Sequence, residues 1–309
     1  MLGLNDCIHG SPVDARAPTE SLRSLLIRVH TGGRPWPRFV GMAIILSAPM
    51  ILLGAVYLGG ATGYKDGAMF GGSLGLVLSG HFVKVGSRIF QKTGMEALAA
   101  DQRPPILYLR AFSQDGDGRD QLGLPDQQPN SLFGGLLWML FFFLGWRRDE
   151  LEPEFAKALR RSGPFIAIGR PDEPLPVEGA ARIYVADQDW KTVVAGAVRE
   201  AQLIIWQGGT STSMLWELSC IKLLADPERV LLVIPDSSVR FELFVEIRQM
   251  LESSFLRTMA IENANFVGFD RRWNPRYIQI KHCPRYLEWF CPSKLRLRST
   301  LKSTFPHLS

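Results

Sequence analysis

Cysteine is scarce in this chain, and the few that occur are not spaced as a metal site or a disulfide framework requires. Cys7, Cys220, Cys283 and Cys291 form no Cys-x-x-Cys pair, which excludes a zinc finger. His282 and Cys283, taken with Cys291, lack the fourth ligand that a structural zinc ion needs, so no metal site is predicted. So few unpaired cysteines are typical of a protein that lies in a reducing compartment.

The chain also lacks a marked charge excess. It has 35 Lys and Arg against 30 Asp and Glu, and its formal net charge is +5 over 309 residues. Nucleic-acid-binding domains carry clustered basic faces, and a balance this mild predicts no nucleic-acid partner. In a membrane protein, a small excess of basic residues typically reflects arginine side chains that lie next to anionic lipid headgroups.

Charged side chains are missing altogether from a long stretch near the N-terminus. No residue from Phe39 to Tyr64 is charged, and a helix of this length crosses a hydrocarbon core of about 30 Å. A second apolar run covers Gly67 to Val83, and Lys65-Asp66 between the two leaves room only for a tight turn. The first run begins too late and is too long for a secretory signal peptide. The pair predicts a transmembrane helical hairpin, with the lipid bilayer as a partner.

Basic residues flank this hairpin on one side. The turn carries only Lys65, whereas both outer ends are rich in Arg and Lys: Arg16, Arg23, Arg28, Arg34, Arg38, Lys84, Arg88 and Lys92. The positive-inside rule places such ends in the cytoplasm. We therefore predict a cell-membrane protein, in a bacterium one of the inner membrane, with both termini and the soluble domain cytoplasmic.

Small residues recur every four positions on the second predicted helix. Gly67, Gly71, Gly75 and Ser79 form one ridge, which lets another helix backbone approach closely. Two interpretations are open: the ridge packs against the first helix of the same hairpin, or it joins two copies of the chain. We expect a homo-oligomer.

A third apolar segment, residues 131–146, is short for a full membrane span. A single crossing here would place the strand before it and the strands after it on opposite sides of the bilayer. We therefore predict an interfacial or re-entrant segment that ends at Arg147-Arg148 in the headgroup layer. An oligomer contact is the alternative.

Short apolar strands alternate with amphipathic helices from residue 105 onward. Near-continuous Val, Ile and Leu is typical of strands buried on both faces, and alternation with helices indicates a doubly wound parallel sheet. We predict an α/β fold with a flavodoxin-like, five-stranded parallel sheet in the order 2-1-3-4-5. The predicted strands cover 106–112, 164–169, 202–207, 229–235 and 265–270. The predicted organisation is an N-terminal segment 1–38, the hairpin 39–90, a linker 91–104, the α/β domain 105–270 and a basic, aromatic tail 271–309.

Sheets of this kind bind ligands beyond the carboxyl ends of their strands, which gives a set of candidate binding residues. These are Arg110, Phe112, Ser113 and Asp115 after the first strand, Gly169 and Arg170 after the second, Gly208, Gly209, Ser211 and Ser213 after the third, and Trp216 in the helix that follows. The glycine pair lets backbone approach a ligand closely. The hydroxyl cluster favours an anion at a helix N-terminus, and plain helix capping is the alternative interpretation.

Glu217 is the candidate catalytic residue. It lies in an otherwise apolar stretch next to Trp216. A carboxylate near a binding crevice with few charged neighbours is a candidate site acid. The alternative is an ordinary acidic residue that interacts favourably with the start of a helix.

Three of these segments resemble the Toll/interleukin-1 receptor (TIR) domain family, particularly membrane-linked bacterial TIR-like proteins. ILYLRAFSQD resembles the first strand and its Ser/Asp loop, GRPDEPLPVEG the loop after the second strand, and GGTSTSMLWELSCI the segment that carries the glutamate of TIR enzymes. The resemblance covers about Pro105 to Asp270. It departs from the family in the adjacency of Trp216 and Glu217 and in the apolar insertion 131–146.

The resemblance implies an effector that cleaves NAD+ at the nicotinamide–ribose bond in bacterial defence or signalling. It implies that Glu217 stabilises the ribosyl cation, as a carboxylate does in glycoside hydrolysis. Phe112 or Trp216 would stack on a ring, and Ser113, Arg110 and Arg170 would hold ribose or phosphate. NAD+ would be the substrate, and no cofactor is expected. Two other functions stay open: a non-catalytic TIR-like interaction scaffold and a nucleotide-sensing membrane protein.

Overall fold

A computed structural model describes residues 20–29, 37–63, 67–110, 151–169, 179–207, 211–233, 266–278 and 293–308. The helices are α1 (Leu22–Arg28), α2 (Arg38–Ala61), α3 (Gly67–Phe90), α4 (Gly94–Ala100), α5 (Leu151–Leu159), α6 (Trp190–Glu200), α7 (Thr212–Leu224) and α8 (Ser293–Thr304). The strands are β1 (Ile106–Leu109), β2 (Phe165–Gly169), β3 (Ala181–Tyr184), β4 (Leu203–Gln207), β5 (Val230–Val233), β6 (Phe266–Phe269) and β7 (Pro275–Ile278). The apolar segment 131–146 lies outside the described residues.

The two long helices α2 and α3 form the predicted hairpin. By length and composition both are able to cross a membrane, and only 11% of the most apolar window of each is buried inside the protein. Large apolar side chains such as Phe39, Met50 and Tyr57 face outward. The core helix of a soluble protein would bury such side chains, and an exposed apolar surface of this size needs a lipid or protein cover.

Glycines on α3 bring its backbone into contact with α2. A methyl group added at Gly71 would overlap the carbonyl oxygen of Ala55, and one at Gly67 would overlap that of Gly59. At Gly75 an added methyl would lie 2.7 Å from the Ala55 Cβ atom. These three glycines of the predicted ridge therefore pack within one hairpin, as the first of the two interpretations proposed.

Replacing Gly71 with valine is expected to destabilise the hairpin by about 1–3 kcal/mol, because the added side chain overpacks the contact with Ala55. The matched control is Gly80→Val on the same helix, since a methyl group at Gly80 meets nothing within 4 Å. Thermal unfolding of the full chain in detergent should show a lower Tm for Gly71→Val than for Gly80→Val. Equal Tm values for the two variants would contradict this packing.

The α/β domain is built on a mixed sheet of seven strands in the order β3-β2-β1-β4-β5-β6-β7. Strands β1 to β5 pair in parallel, and β6 and β7 are antiparallel to their neighbours. The prediction of five parallel strands is therefore wrong in the number of strands and in the direction of Phe266–Phe269. The strands that were predicted, β1, β2, β4, β5 and β6, do keep the predicted neighbour order.

The two strands that the prediction missed are the edges of the sheet. Strand β3 is four residues long and carries Arg182 between apolar neighbours, and β7 begins with Pro275 and continues with Arg276. Proline is tolerated at the start of an edge strand because one side of that strand forms no ladder. Such short, polar stretches lack the apolar run that identified the central strands.

Helices cover both faces of the sheet and form two hydrophobic layers. On one face, α1, α6 and α7 pack over Leu107, Ile204 and Trp206. On the other, α5 and α8 pack over Tyr108 and Ile205. Elements of both predicted flanking segments, 1–38 and 271–309, thus contribute to the core, since α1 lies in the first and β7 and α8 lie in the second.

The hairpin joins the α/β domain through a short connection. Three residues, 91–93, separate α3 from α4, and Thr93 caps α4 in a reciprocal capping box with Glu96. The Arg38 guanidinium at the start of α2 lies 2.5 Å from the Glu96 carboxylate. A methyl group at Gly94 would lie 3.1 Å from the Arg182 carbonyl oxygen, so α4 is packed tightly on edge strand β3.

Candidate functional site

The chain changes direction across the sheet between β1 and β4. From β1 it continues to β2 and β3 on one side, and from β4 to β5 on the other. Open α/β sheets bind ligands outside the carboxyl ends of the strands at such a switch point. Leu109 pairs with Trp206 at this end, and the Tyr108 hydroxyl donates a hydrogen bond to the Gln207 side chain. Arg110 and Gln207 therefore stand at the rim where a ligand is expected.

The described part of the chain contains a portion of the predicted site. Arg110, Gly169, Ser211, Ser213, Trp216 and Glu217 lie within it, and Phe112, Ser113, Asp115, Arg170, Gly208 and Gly209 lie outside the described residues. Of the former, Gly169 is the last residue of β2 and is buried in the ladder, where its carbonyl oxygen accepts a hydrogen bond from the Val185 amide at 3.2 Å.

Ser211 and Ser213 are engaged in helix capping. The Ser211 hydroxyl accepts a hydrogen bond from the Met214 amide at 3.4 Å, and it lies 3.1 Å from the Ser213 hydroxyl. This contact satisfies one of the amides that have no partner in the first turn of α7. These contacts agree with the interpretation of the hydroxyl cluster as a helix cap.

Glu217 lies in the second turn of α7 and points into the apolar layer. It is 2% exposed and lies among buried side chains of the same helix, including Met214 and Leu218. Within the described residues, neither Glu217 Oε2 nor the Trp206 indole Nε1 has a hydrogen-bond partner. A buried carboxyl with an unsatisfied oxygen is costly to ionise, so this is not the solvated acid that merely favours a helix terminus.

Burial raises the pKa of the Glu217 carboxyl to about 8, and the nearby Trp206 indole opposes part of that rise. Desolvation disfavours the charged form of a carboxyl. At neutral pH the side chain is therefore mostly protonated when the site holds no ligand. Strongly perturbed acids of this kind cluster at functional sites.

The Cys220 thiol lies close to Glu217, and the Arg199 guanidinium lies near that thiol. Burial raises the pKa of Cys220 to about 12, and Arg199 on α6 opposes that rise. Because a thiolate is the reactive form of cysteine, a thiol with so high a pKa is inert. The Arg199 Nη2 atom is buried without a hydrogen-bond partner among the described residues.

Trp216 turns toward α6 rather than into the sheet. Its ring centroid lies 5.0 Å from that of Trp190, and the Lys191 ammonium lies 5.5 Å from it. The pair is partly buried against the core. The Trp216 ring thus borders the layer that contains Glu217 and already has an aromatic partner.

A second charged cluster, which the sequence reasoning missed, includes Arg110. Glu152, in the first turn of α5, is 3% exposed and accepts hydrogen bonds from the Ala180 amide at 3.0 Å and from Arg182 Nη2 at 3.1 Å. Arg110 Nη1 lies 3.5 Å from the same carboxylate. One buried carboxylate thus contacts two guanidinium groups. The feature of the sequence that could have indicated this cluster is Arg182, a single arginine in the apolar strand β3.

No protein-family model matches the chain, and no curated protein or solved structure matches it either. Within the described ranges, no group of three or more His, Cys, Asp and Glu side chains is placed to hold a metal ion. The features that bear on function are a buried acid, an arginine at the rim of the sheet and a hairpin of membrane length.

Proposed function

We propose that this protein is a membrane-anchored, TIR-like enzyme that cleaves NAD+ at the nicotinamide–ribose bond. The proposal rests on one observation: an inward-facing acid with a raised pKa, Glu217, lies on the helix that follows β4 at the switch point of the sheet. An acid with a perturbed pKa at this place in an α/β fold is a site candidate on physical grounds.

The chemistry suits a site with a single carboxylate. Nicotinamide leaves the ribose as a neutral molecule because the broken C–N bond returns its electron pair to the pyridinium ring. The positive charge passes to the ribosyl carbon and its ring oxygen, where an ionised carboxylate stabilises it. Water then attacks that carbon, and the products are ADP-ribose, nicotinamide and one proton.

Glu217 performs this role only when it is ionised. With a pKa of about 8, it holds its proton at neutral pH in the empty site. The cationic nicotinamide ring of bound NAD+ lowers that pKa, because a nearby opposite charge favours the carboxylate. The kcat/KM for NAD+, which reports the pKa of the free enzyme, is accordingly expected to rise with pH up to about pH 8.

The position of Arg110 at the rim supports the binding of an anionic group of the substrate. Arg110 follows β1 directly and is 15% exposed, and it shares Glu152 with Arg182. The planar guanidinium fork matches the oxygen atoms of a phosphate. In this proposal Arg110 contacts the diphosphate, and the Glu152 carboxylate orients its guanidinium.

The hairpin provides the anchor. Its outward-facing apolar side chains fit a bilayer, and the Arg and Lys residues at its outer ends place the α/β domain in the cytoplasm under the positive-inside rule. We propose a cell-membrane location and self-association of the anchored protein.

Turnover of NAD+ by the full chain in nanodiscs tests this function. Wild type is expected to release nicotinamide. Glu228→Gln, a control that changes a solvent-exposed ion pair, should do so at the same rate. Glu217→Gln should release it at least about 100-fold more slowly. Equal, non-zero rates for wild type and Glu217→Gln would remove Glu217 from the mechanism. Absence of turnover in wild type would reject the enzyme.

The enclosure of Glu217 favours one second candidate. At 2% exposure, the carboxyl is closed to solvent in the described state, which suits a non-catalytic TIR-like scaffold that self-associates at the membrane. Such a scaffold would assemble without NAD+ turnover, and its assembly would be equal in wild type and Glu217→Gln.

A further inference from the structure

A pocket of about 340 Å³ lies where the α/β domain meets the last turn of the hairpin. One side of α5, including Lys157 and Arg160, forms one wall. Phe165 at the start of β2, Gly179 and Gln91, which directly follows α3, are among the other lining residues. Its volume falls at the lower end of the range for small-molecule sites.

The described residues that line the pocket carry a net positive charge. None of its eight described lining residues is acidic, and Lys157 and Arg160 lie three positions apart, on the same side of the helix. Lys157 contacts Glu154 at 3.3 Å, but its side chain is 55% exposed. An exposed pair of this kind contributes little stability, so Lys157 is available to an anionic ligand.

The chemistry of the other lining groups fits a phosphate ester with an apolar part. Arg160 offers a planar fork that matches phosphate oxygens. Phe165, although it is only 9% exposed, adds apolar surface to the lining of the pocket.

The position of the pocket relative to the hairpin indicates that the phosphate belongs to a lipid rather than to a soluble molecule. Helix α3 has 24 residues, and at 1.5 Å per residue it is about 36 Å long. If this helix crosses the bilayer, Gln91 at its end lies at the depth of the lipid headgroups. The three-residue connection to α4 keeps the start of the α/β domain close to that depth.

We propose that this pocket binds the headgroup of an anionic phospholipid, with Lys157 and Arg160 on the phosphate and Phe165 against the glycerol. The inference rests on the proposed membrane anchor and is independent of NAD+ cleavage. Bound lipid would hold the α/β domain against the membrane surface at a fixed orientation.

Thermal unfolding of the full chain in detergent, titrated with short-chain phosphatidylglycerol, tests the proposal. Wild type is expected to gain Tm with this lipid, and neither phosphatidylcholine nor inorganic phosphate should match the gain. Lys157→Ala with Arg160→Ala should raise the half-saturating lipid concentration by at least about tenfold. The matched control removes the same charges elsewhere, at the exposed Lys191 and Arg272, and should respond like wild type.

Three outcomes would overturn the proposal: an unchanged response in the pocket variant, an equal loss in the control, or an equal gain from phosphatidylcholine. A gain with phosphate alone that equals the gain with phosphatidylglycerol would assign the pocket to a soluble phosphate instead. Resistance of the chain to alkaline extraction from membranes reports separately on the anchor, and nicotinamide release reports on the enzyme.

Discussion

Replacing Glu217 with glutamine is expected to make the protein more stable than wild type above about pH 8, by about 5 kcal/mol at most. The pKa of this carboxyl is raised by burial from 4.5 to about 8. Between these two values the folded state keeps a proton that the unfolded chain releases. The free energy of unfolding of wild type should therefore fall as pH rises, by about 1.4 kcal/mol per pH unit.

The sign of the effect is fixed by the direction of the pKa shift. Below about pH 4.5 both states hold the proton, and the stabilisation is fully present. It is lost as pH rises through the folded pKa, and above about pH 8 no further loss occurs. Glutamine, which is nearly isosteric and does not titrate, should remove this pH dependence.

Urea denaturation of the full chain in detergent, followed by tryptophan fluorescence between about pH 5 and pH 9, measures the effect. The matched control is Glu228→Gln, which removes an acid that is 40% exposed in an ion pair with Arg271 and should follow wild type. If the free energy of unfolding falls in parallel for Glu217→Gln and wild type across this range, the conclusion that Glu217 faces inward and is protonated is wrong.

Replacing Glu152 with glutamine is expected to destabilise the α/β domain by about 3–5 kcal/mol. The variant removes the carboxylate that Arg182 and Arg110 share, and Arg182 is 4% exposed. Removing the acid from a buried ion pair costs more than the pair itself contributes.

The same denaturation experiment tests this prediction against Glu228→Gln, since that control breaks an exposed ion pair at 3.0 Å. A loss below about 1 kcal/mol is expected for the exposed pair. The double variant Glu152→Leu with Arg182→Met should recover part of the loss, because it replaces the buried pair by apolar groups. If Glu152→Gln and Glu228→Gln lose the same free energy of unfolding, the conclusion that Glu152 lies in a buried ion-pair cluster is contradicted.

The hairpin and the central strands were predictable because each of them corresponds to a continuous run of apolar residues in the sequence. The absence of charge from Phe39 to Tyr64 marks α2, and continuous apolar runs mark β1, β4 and β5. Strand direction has no such signal: Phe266–Phe269 is as apolar as its neighbours, although it pairs in the antiparallel direction. The short edge strands β3 and β7 were missed because their polar residues interrupt the pattern.

The candidate site was predictable to the extent that each residue stood out locally. Glu217 did, as a single acid in an apolar helix, and its burial agrees with that pattern. Glu152 did not, because an acid in the first turn of a helix is ordinary. Its pairing with Arg182, 30 residues further along the chain, is set by the tertiary fold. The same holds for α1, whose Leu22 and Leu26 are buried in the core layer formed with α6.

The tight packing of Gly94 against edge strand β3 has a mechanical consequence. Helix α4 is joined to α3 by only three residues, so a rotation or a tilt of the hairpin also acts on α4. We expect force applied to the helices by bilayer thickness, or by a neighbouring hairpin, to be transmitted through α4 to Arg182 and from there to Glu152 and Arg110. Inserting a flexible glycine–serine spacer after Gln91 would uncouple the two parts. If the protein is an enzyme, its turnover should then no longer depend on the lipid acyl-chain length of the nanodisc.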